Sequence, residues 1–207
     1  MDKFKSAVIL AGGKSTRMGF DKQLLSVNGL RLTDRLILAL SKIFGEIIIV
    51  TKTPEYYKDS GCILISDEIP DLGPLGGIHA ALKRTSSKYA YFIACDMPNV
   101  NADYIEYMKQ RLEVEGTDIC VTRKGDWIEP MNAFYSKSIT DTIGEELSKG
   151  NASIYSLLEK CKCTVIEEED AKRFSPDWSM FLNLNTVEDF EKYKKSLNSF
   201  GFVENIL

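Results

Sequence analysis

Short, continuously apolar runs alternate along the chain with segments in which apolar residues recur at helical spacing. Because the runs are continuous rather than alternating apolar and polar, both faces of the strands that they form are expected to be buried. Such strands, in alternation with helices, predict an α/β fold in which helices cover both faces of a mostly parallel sheet. The apolar runs of the first 122 residues are 7–11, 47–50, 62–65, 89–95 and 119–122.

Polar residues with capping side chains mark several expected helix starts. Thr33 is expected to cap a first helix, and Asn101 is well placed to cap another. A further helix is expected after Gly77, and Thr186 with Asp189 three residues later resembles a capping box. The pattern also predicts helices at 102–114, 136–147, 154–161 and 186–197, and strands at 130–135 and 163–166.

The length and composition suit a single folded domain without a nucleic-acid surface. The chain has 207 residues, of which 44% are hydrophobic, and its net charge is −4. No stretch concentrates Lys or Arg as a duplex-binding surface does, so an anionic ligand must be held by a local site. The five cysteines are irregularly spaced, and the first apolar run is too short for a signal peptide or a membrane span. We therefore expect a cytoplasmic protein that binds neither nucleic acid nor a membrane.

A glycine-rich segment directly after the first apolar run is the strongest candidate for an anion site. From Leu10 it reads LAGGKSTRMG, and Lys22 follows three positions later. Ligands of open α/β sheets bind beyond the carboxyl ends of the strands, where the bare backbone of Gly12 and Gly13 allows a phosphate to approach closely. Arg17 and Lys22 add two positive charges.

Two familiar phosphate-binding motifs do not fit this segment. A P-loop needs a glycine five residues before Gly13, where the chain has Val8. A dinucleotide-binding fingerprint needs glycine at position 14, which is Lys14. The segment therefore predicts a phosphate-binding turn of another kind.

A carboxylate is expected beside the glycine turn. Asp96 directly follows the run 89–95, and it lies at the same sheet edge as the turn if the strands are parallel. Mg²⁺ is usually held by one or two carboxylates together with substrate phosphates, so Asp96 is the predicted Mg²⁺ ligand. Residues 67–78, DEIPDLGPLGGI, predict a rigid loop with bare backbone, suited to lie against a flat base; an ordinary connecting loop is the alternative.

Together, these segments resemble the molybdenum cofactor guanylyltransferases, which attach GMP from GTP to molybdopterin. The resemblance covers nearly the whole chain. It rests on LAGG at 10–13, RMG at 17–19, DK at 21–22, Asp67 with GPL at 73–75, CDMP at 95–98 and FLNLNT at 181–186. It implies a Rossmann-like, three-layer nucleotidyltransferase fold in one domain over 1–207. The nucleotide-binding half would span about 1–100 and the acceptor-binding half about 101–197.

The resemblance also implies residue roles and partners. It assigns nucleotide binding to Leu10, Ala11, Gly12, Gly13, Lys22, Thr51, Asp67 and Asp96, with Thr51 standing where the family often has asparagine. It assigns catalysis to Arg17, Lys22 and Asp96, the metal to Asp96, and acceptor binding to Asn183 and Asn185. The implied partners are GTP, Mg²⁺, molybdopterin or Mo-molybdopterin, cofactor-biosynthesis proteins and apo-molybdoenzymes.

The expected reaction is attack by a terminal phosphate oxygen of the acceptor on the α-phosphorus of GTP. That oxygen is already anionic, so no general base is needed, and catalysis rests on positioning and charge neutralisation. His79, the only histidine, is expected to be structural. The alternatives are a related cytidylyltransferase or sugar-nucleotide enzyme, and a non-catalytic nucleotide-binding regulator. Arg17, Lys22 and Asp96 together disfavour the regulator.

Overall fold

Strands and helices alternate along the part of the chain that the computed structural model describes, which is residues 2–12, 21–66 and 73–199. The strands are β1 (Ser6–Leu10), β2 (Ser26–Val27), β3 (Leu30–Arg31), β4 (Glu46–Val50), β5 (Ile63–Ile65), β6 (Tyr89–Ala94), β7 (Ile119–Lys124), β8 (Trp127–Ser136) and β9 (Cys163–Ile166). The α-helices are α1 (Leu32–Ser41), α2 (Gly73–Arg84), α3 (Ala102–Glu115), α4 (Thr140–Ser148), α5 (Ile154–Lys160), α6 (Glu168–Lys172) and α7 (Val187–Ser199). Short 3-10 turns lie at Lys22–Leu24, Pro54–Tyr57, Lys137–Ile139 and Ser179–Phe181.

Seven of the strands in these ranges form one sheet, in the order β5-β4-β1-β6-β8-β7-β9. Neighbouring strands pair in parallel, except that β8 runs antiparallel to β6 and β7. Helices flank this sheet, so the predicted α/β fold with a mostly parallel sheet is confirmed. From β1 the chain adds β4 and β5 on one side and then crosses to β6 on the other. Ligands of open α/β sheets bind at such a reversal.

Aromatic side chains from distant parts of the chain fill the centre of the sheet. Tyr91 of β6 packs against Phe134 of β8, with ring centroids 5.3 Å apart, and against Phe44, 5.5 Å away. All three residues are buried. Full burial of a side chain of this kind contributes about 1.5–3 kcal/mol, so the cluster fastens β8 to the parallel part of the sheet.

Three predicted helix starts need correction. Thr33 does not cap α1, because the helix already begins at Leu32 and Thr33 is buried in its first turn. The guanidinium of Arg31 instead pairs with Asp34 at 2.8 Å and braces that turn. Ser136 belongs to β8, and its side chain caps a 3-10 turn that precedes α4.

The third correction concerns α2, which begins at Gly73 rather than after Gly77. Residues 73–77 are therefore the first turns of a helix and not part of a rigid loop. Gly73 has a φ of 62°, a conformation that glycine adopts without steric cost. Pro74 follows in the first turn, where a missing N–H breaks no helical hydrogen bond.

The other capping predictions are confirmed. The side-chain oxygen of Asn101 accepts the N–H of Tyr104 at 2.9 Å, at the start of α3. Thr186 and Asp189 form a reciprocal capping box, in which each side chain accepts the other residue's N–H, at 3.1 and 2.9 Å. Among the described residues, no helix has the length and apolar character needed to cross a membrane.

Candidate functional site

A cavity of about 460 Å³ lies at the carboxyl ends of β1, β4 and β6, where the strand order reverses. It brings together six of the residues predicted to bind nucleotide: Leu10, Ala11, Gly12, Lys22, Thr51 and Asp96. The other described lining residues are Asp21, Gln23, Val50, Lys52, Gly73, Pro74, Gly77, Ala94, Cys95 and Met131. Gly13, Arg17 and Asp67 lie outside the described residues, so their assigned roles stay predictions.

The main charged contact of the site joins Lys22 to Asp96. The Lys22 ammonium lies 2.7 Å from Oδ2 of Asp96, and the two side chains are only 19% and 17% exposed. The same ammonium donates to Oδ1 of Asn185 at 3.0 Å. Because the two side chains are partly buried, the electrostatic attraction between them is stronger than in a surface ion pair. The chain therefore gathers a cation, a carboxylate and a carboxamide oxygen at one point beside the cavity.

Backbone hydrogen bonds hold Asp96 in this position. The N–H of Cys95 donates to the carbonyl of Leu10 at 3.0 Å, which ties the end of β6 to the end of β1. The N–H of Leu184 donates to the carbonyl of Asp96 at 2.9 Å. The second bond brings the segment that contains Asn185 to the strand end, across 88 positions of sequence.

Gln23 is the centre of a buried polar network behind Lys22. Its side-chain oxygen accepts from the hydroxyls of Thr51 at 2.9 Å, Tyr57 at 3.0 Å and Thr53 at 3.3 Å. Its amide nitrogen donates to both carboxylate oxygens of Asp21, at 3.2 and 3.3 Å. The network joins the 3-10 turn Lys22–Leu24 to the end of β4 and fixes the backbone from which Lys22 extends.

The Thr51 side chain is fully engaged in this network. Its hydroxyl donates to Gln23 and accepts the N–H of Thr53 at 3.0 Å. Thr51 is buried yet lines the cavity. Its observed contacts therefore support the wall of the cavity, and a nucleotide contact from Thr51 stays a prediction.

The first turn of α2 forms another wall. A Cβ at Gly77 would lie 3.1 Å from Cδ2 of Leu10, so the helix lies directly against β1 because this residue has no side chain. Gly73, Pro74 and Gly77 line the cavity. Helix N-termini carry partial positive charge and free N–H groups, which favour a bound phosphate.

Gly12 does not adopt the left-handed backbone conformation that favours glycine. The φ of Gly12 is not positive, and a Cβ there would meet only the carbonyl oxygen of Val50, at 4.0 Å. A tight bend at this residue is therefore not the reason for glycine. Because Gly12 has no side chain, its backbone itself lines the cavity.

Two ionisable groups near Asp96 have pKa values raised by burial. Burial, with a smaller effect from Asp96, raises the pKa of the Cys95 thiol to about 12, which excludes a thiolate nucleophile at neutral pH. Burial also raises the pKa of the Glu129 carboxyl, and the charge of Asp96 adds to this effect. The acidic side of the site therefore extends from Asp96 towards β8.

Similarity to known proteins shows the family to which this chain belongs. The MobA-like NTP transferase domain matches residues 7–171. A molybdenum cofactor guanylyltransferase of Syntrophotalea carbinolica is 52% identical over 200 residues, which cover 97% of this chain and 95% of the relative. This chain belongs to the molybdenum cofactor guanylyltransferase family. As a member of that family, it is a nucleotidyltransferase.

A second relative agrees with this assignment to the guanylyltransferase family, and a solved structure shares the fold. A probable molybdenum cofactor guanylyltransferase of Peptoclostridium acidaminophilum is 50% identical over 93% of this chain and 89% of the relative. The crystal structure of molybdopterin-guanine dinucleotide biosynthesis protein A from Archaeoglobus fulgidus has a TM-score of 0.81. That structure is 24% identical and covers 94% of this chain and 99% of its own, so it shows a shared fold.

The two asparagines predicted to bind the acceptor of this guanylyltransferase-family member have different surroundings. Asn185 contacts Lys22 beside the cavity, whereas the amide of Asn183 donates to the carbonyl of Phe181 at 3.1 Å. Neither asparagine is among the described lining residues of the cavity. The structure thus brings Asn185 to the charged group and leaves Asn183 in a local turn.

The presence of Gln23 and Met131 at this site was not predicted from the sequence. Gln23 acts through residues 28 and 34 positions further along the chain, and no local motif signals those contacts. Met131 reaches the cavity because β8 lies beside β6. His79 lies close to α4, since a Cβ at Gly144 of that helix would lie 3.2 Å from its Nε2.

Proposed function

We propose that this guanylyltransferase-family member transfers GMP from GTP to molybdopterin or Mo-molybdopterin and releases pyrophosphate. The observation that carries the proposal is the meeting of Lys22, Asp96 and Asn185 beside a cavity at the reversal of strand order. The names of the relatives at 52% and 50% identity support it. A cytoplasmic location and delivery of the product to apo-molybdoenzymes belong to the same proposal.

In this proposal, the cavity holds the nucleotide by its backbone and its basic groups. The bare backbone at Gly12 and the first turn of α2 would face the phosphates, and Lys22 would neutralise part of their charge. Arg17, from outside the described residues, is proposed to add a second cation. The partly buried position of Lys22 supports this role, because low solvent exposure strengthens its attraction for an anion.

The proposed chemistry is an in-line displacement at the α-phosphorus. An anionic oxygen of the acceptor phosphate forms the new P–O bond, while the bond to the bridging oxygen breaks and its electron pair leaves with pyrophosphate. No proton has to be removed, so the raised pKa of Cys95 and the structural setting of His79 are no obstacle. Lys22 and Asn185 would orient the reacting groups and share their charge.

The residues present fit a magnesium ion. Oxygen atoms of Asp96 and Asn185 both contact the Lys22 ammonium, which shows that their side chains converge on a point that attracts a cation. Asp96 would hold the ion, and Asn185 offers a neutral oxygen nearby. When bound, Mg²⁺ would neutralise charge on the triphosphate. Mg²⁺ usually takes several of its ligands from substrate phosphates and water, so one protein carboxylate is enough to hold it.

Pyrophosphate release from a panel of nucleotides tests the proposal. With Mg²⁺ and molybdopterin, we expect release from GTP to exceed release from ATP and CTP, and calorimetry should show the same order of binding. Omission of molybdopterin, or chelation of divalent cations, should abolish release. Equal or faster release from CTP would assign the protein to the cytidylyltransferases. Nucleotide binding without release under any condition would indicate a regulator.

A further inference from the structure

An exposed aromatic pair stands beyond the cavity, at the start of β8. Trp127 is 56% exposed and Tyr155 of α5 is 43% exposed, and their ring centroids are 5.9 Å apart at 68°. The Tyr155 hydroxyl accepts the N–H of Ile128 at 3.1 Å, which fixes the ring beside the strand. Large aromatic side chains held in place but open to solvent are typical of binding surfaces.

A carboxylate connects this pair to the cavity. Glu129 lies between Trp127 and Met131 on β8, and it accepts the N–H of Met131 at 3.3 Å. The Met131 N–H is a neutral donor, so the Glu129 carboxyl keeps the capacity to accept further hydrogen bonds from a ligand. Met131 itself lines the cavity together with Asp96. Trp127, Glu129 and Met131 therefore form a continuous path along β8 from solvent to the charged group.

The length of this path suits an acceptor whose phosphate reacts in the cavity. Met131 lies four positions after Trp127 on the strand, which corresponds to about 13 Å. An acceptor phosphate beside Asp96 would leave the rest of the molecule to extend along β8. Its ring end would then reach Glu129 and the aromatic pair.

We infer that Trp127, Glu129 and Tyr155 form the subsite that binds the ring system of the acceptor. A pterin is a flat heteroaromatic bicycle with adjacent N–H donors on one edge. A carboxylate accepts such a pair of donors, and an aromatic face stacks on such a ring. The inference rests on the proposed function, because it takes the acceptor to be a pterin phosphate.

Tryptophan fluorescence offers a direct test, since the chain has only Trp127 and Trp178. In a Trp178→Phe variant, emission comes from Trp127 alone. Hydroxymethylpterin phosphate and molybdopterin serve as probes, because pterins absorb where tryptophan emits. We expect saturable quenching by both probes. Glu129→Gln and Tyr155→Ala should each weaken it about tenfold, the loss typical of a charged hydrogen bond or an aromatic contact.

A second measurement covers the case in which Trp178→Phe fails to fold. In the otherwise unchanged chain, Trp127→Ala and Glu129→Gln should raise the KM for molybdopterin about tenfold while calorimetry finds unchanged affinity for GTP. Glu159→Gln, which alters an exposed glutamate of α5, is the matched control. The control should retain the wild-type KM.

The outcomes separate this inference from the proposed function. If the unaltered protein released pyrophosphate with molybdopterin, but both variants kept its KM and quenching were absent, the subsite would be wrong and the function would stand. If no pyrophosphate were released while both pterins quenched Trp127, the function would be wrong and the subsite would stand. If Trp127→Ala changed only the mass measured by light scattering, the aromatic pair would be a contact between copies, and the subsite would be overturned.

Discussion

The Lys22 ammonium contacts side-chain oxygen atoms of Asp96 and Asn185, and a bound nucleotide phosphate would share this ammonium with them. The ammonium lies 2.7 Å from Asp96 and 3.0 Å from Asn185, at the edge of the cavity. Because these partners hold the ammonium in place, little side-chain freedom is left to lose when a phosphate binds. The residue thus contributes a pre-organised charge, which a flexible surface lysine would not.

We expect Lys22→Ala to raise the Kd for GTP by about tenfold to a hundredfold, because a charge-assisted hydrogen bond is lost and Asp96 loses its counter-charge. Isothermal calorimetry measures the change. Lys58→Ala, at an exposed lysine after the 3-10 turn Pro54–Tyr57, is the control and should bind GTP normally. Unchanged binding by both variants would exclude Lys22 from the nucleotide site.

Asp96→Asn keeps the size of the side chain but removes its charge. We expect pyrophosphate release to fall by about a hundredfold or more, because the charge stabilisation that a bound metal supplies is worth several kcal/mol. The variant should still fold, since the backbone carbonyl of Asp96 keeps its bond to Leu184. Cooperative melting checks the fold, and added Mg²⁺ should restore part of the activity. Near-normal release at low Mg²⁺ would leave Asp67 as the remaining candidate ligand.

At the scale of the element, the 3-10 turn Lys22–Leu24 depends on Gln23. A Gln23→Leu substitution would leave the buried hydroxyls of Thr51 and Tyr57 without their acceptor, which costs about 1–3 kcal/mol of the free energy of unfolding. In a protein of this size, each kcal/mol lowers the Tm by about 2–4 °C. Calorimetric melting measures the loss.

The same substitution should reduce turnover, because the turn also positions Lys22. Gln110→Leu changes an exposed glutamine of α3 and serves as the matched control. It should alter neither the Tm nor the rate of pyrophosphate release. A Gln23→Leu protein with a lowered Tm but normal turnover would show that the network supports the fold and not the position of Lys22.

Helices α4 and α5 are joined by a buried glutamate whose charge is fully paired. Glu146 lies 2.5 Å from the Lys160 ammonium and 3.2 Å from that of Lys149, and Asn151 donates to it at 2.8 Å. The hydrogen bond from Lys160 is the main reason that the pKa of Glu146 falls to about 2, from an ordinary value of 4.5. The ionised form is therefore favoured in the folded state.

The pH dependence of stability follows from that shift. Between pH 4.5 and 2 the unfolded chain binds a proton at position 146 that the folded chain does not. The ionised Glu146 therefore stabilises the folded state fully above this range, and this stabilisation is lost as the pH falls through the range. We expect the Tm of the unaltered protein to fall more steeply over this range than that of Glu146→Gln. Glu145→Gln, at an exposed neighbour, should behave like the unaltered protein.

The elements show what the sequence could predict and what it could not. Continuous apolar runs identified the strands of the large sheet, because burial on both faces leaves a strong local signal. The start of α2 was wrong because Gly73 and Pro74 have low helix propensity, although both suit a first turn. The hairpin of β2 and β3 was overlooked, although Asn28 and Gly29 both have positive φ, as its two-residue turn requires.

Only those residues of the candidate site that belong to a recognisable local motif could be predicted from the sequence. Sequence alone identified Lys22 and Asp96, since Lys22 closely follows the glycine-rich segment and Asp96 directly follows an apolar run. The roles of Gln23 and Glu129 depend on which distant strands become neighbours, and that information is absent from any local pattern. Resemblance to a family supplied Asn185, and the structure then brought its side chain to Lys22.

At the scale of the molecule, the two predicted halves share one sheet. Tyr91 and Phe134 pack across the boundary between them, and β6 pairs with β8. We therefore expect residues 1–100 alone not to fold. Circular dichroism and proteolysis of that fragment would check this, and cooperative melting of the fragment would contradict it.

The position of β8 between β6 and β7 also constrains the order of assembly. β7 is synthesised before β8, yet it cannot reach its place until β8 has paired with the edge of β6. During translation, the backbone hydrogen-bonding groups at this edge of β6 therefore stay unpaired until more than forty further residues have emerged. An unpaired apolar edge recruits strands from other chains, so a nascent chain is most exposed to aggregation, and most in need of a chaperone, during this interval.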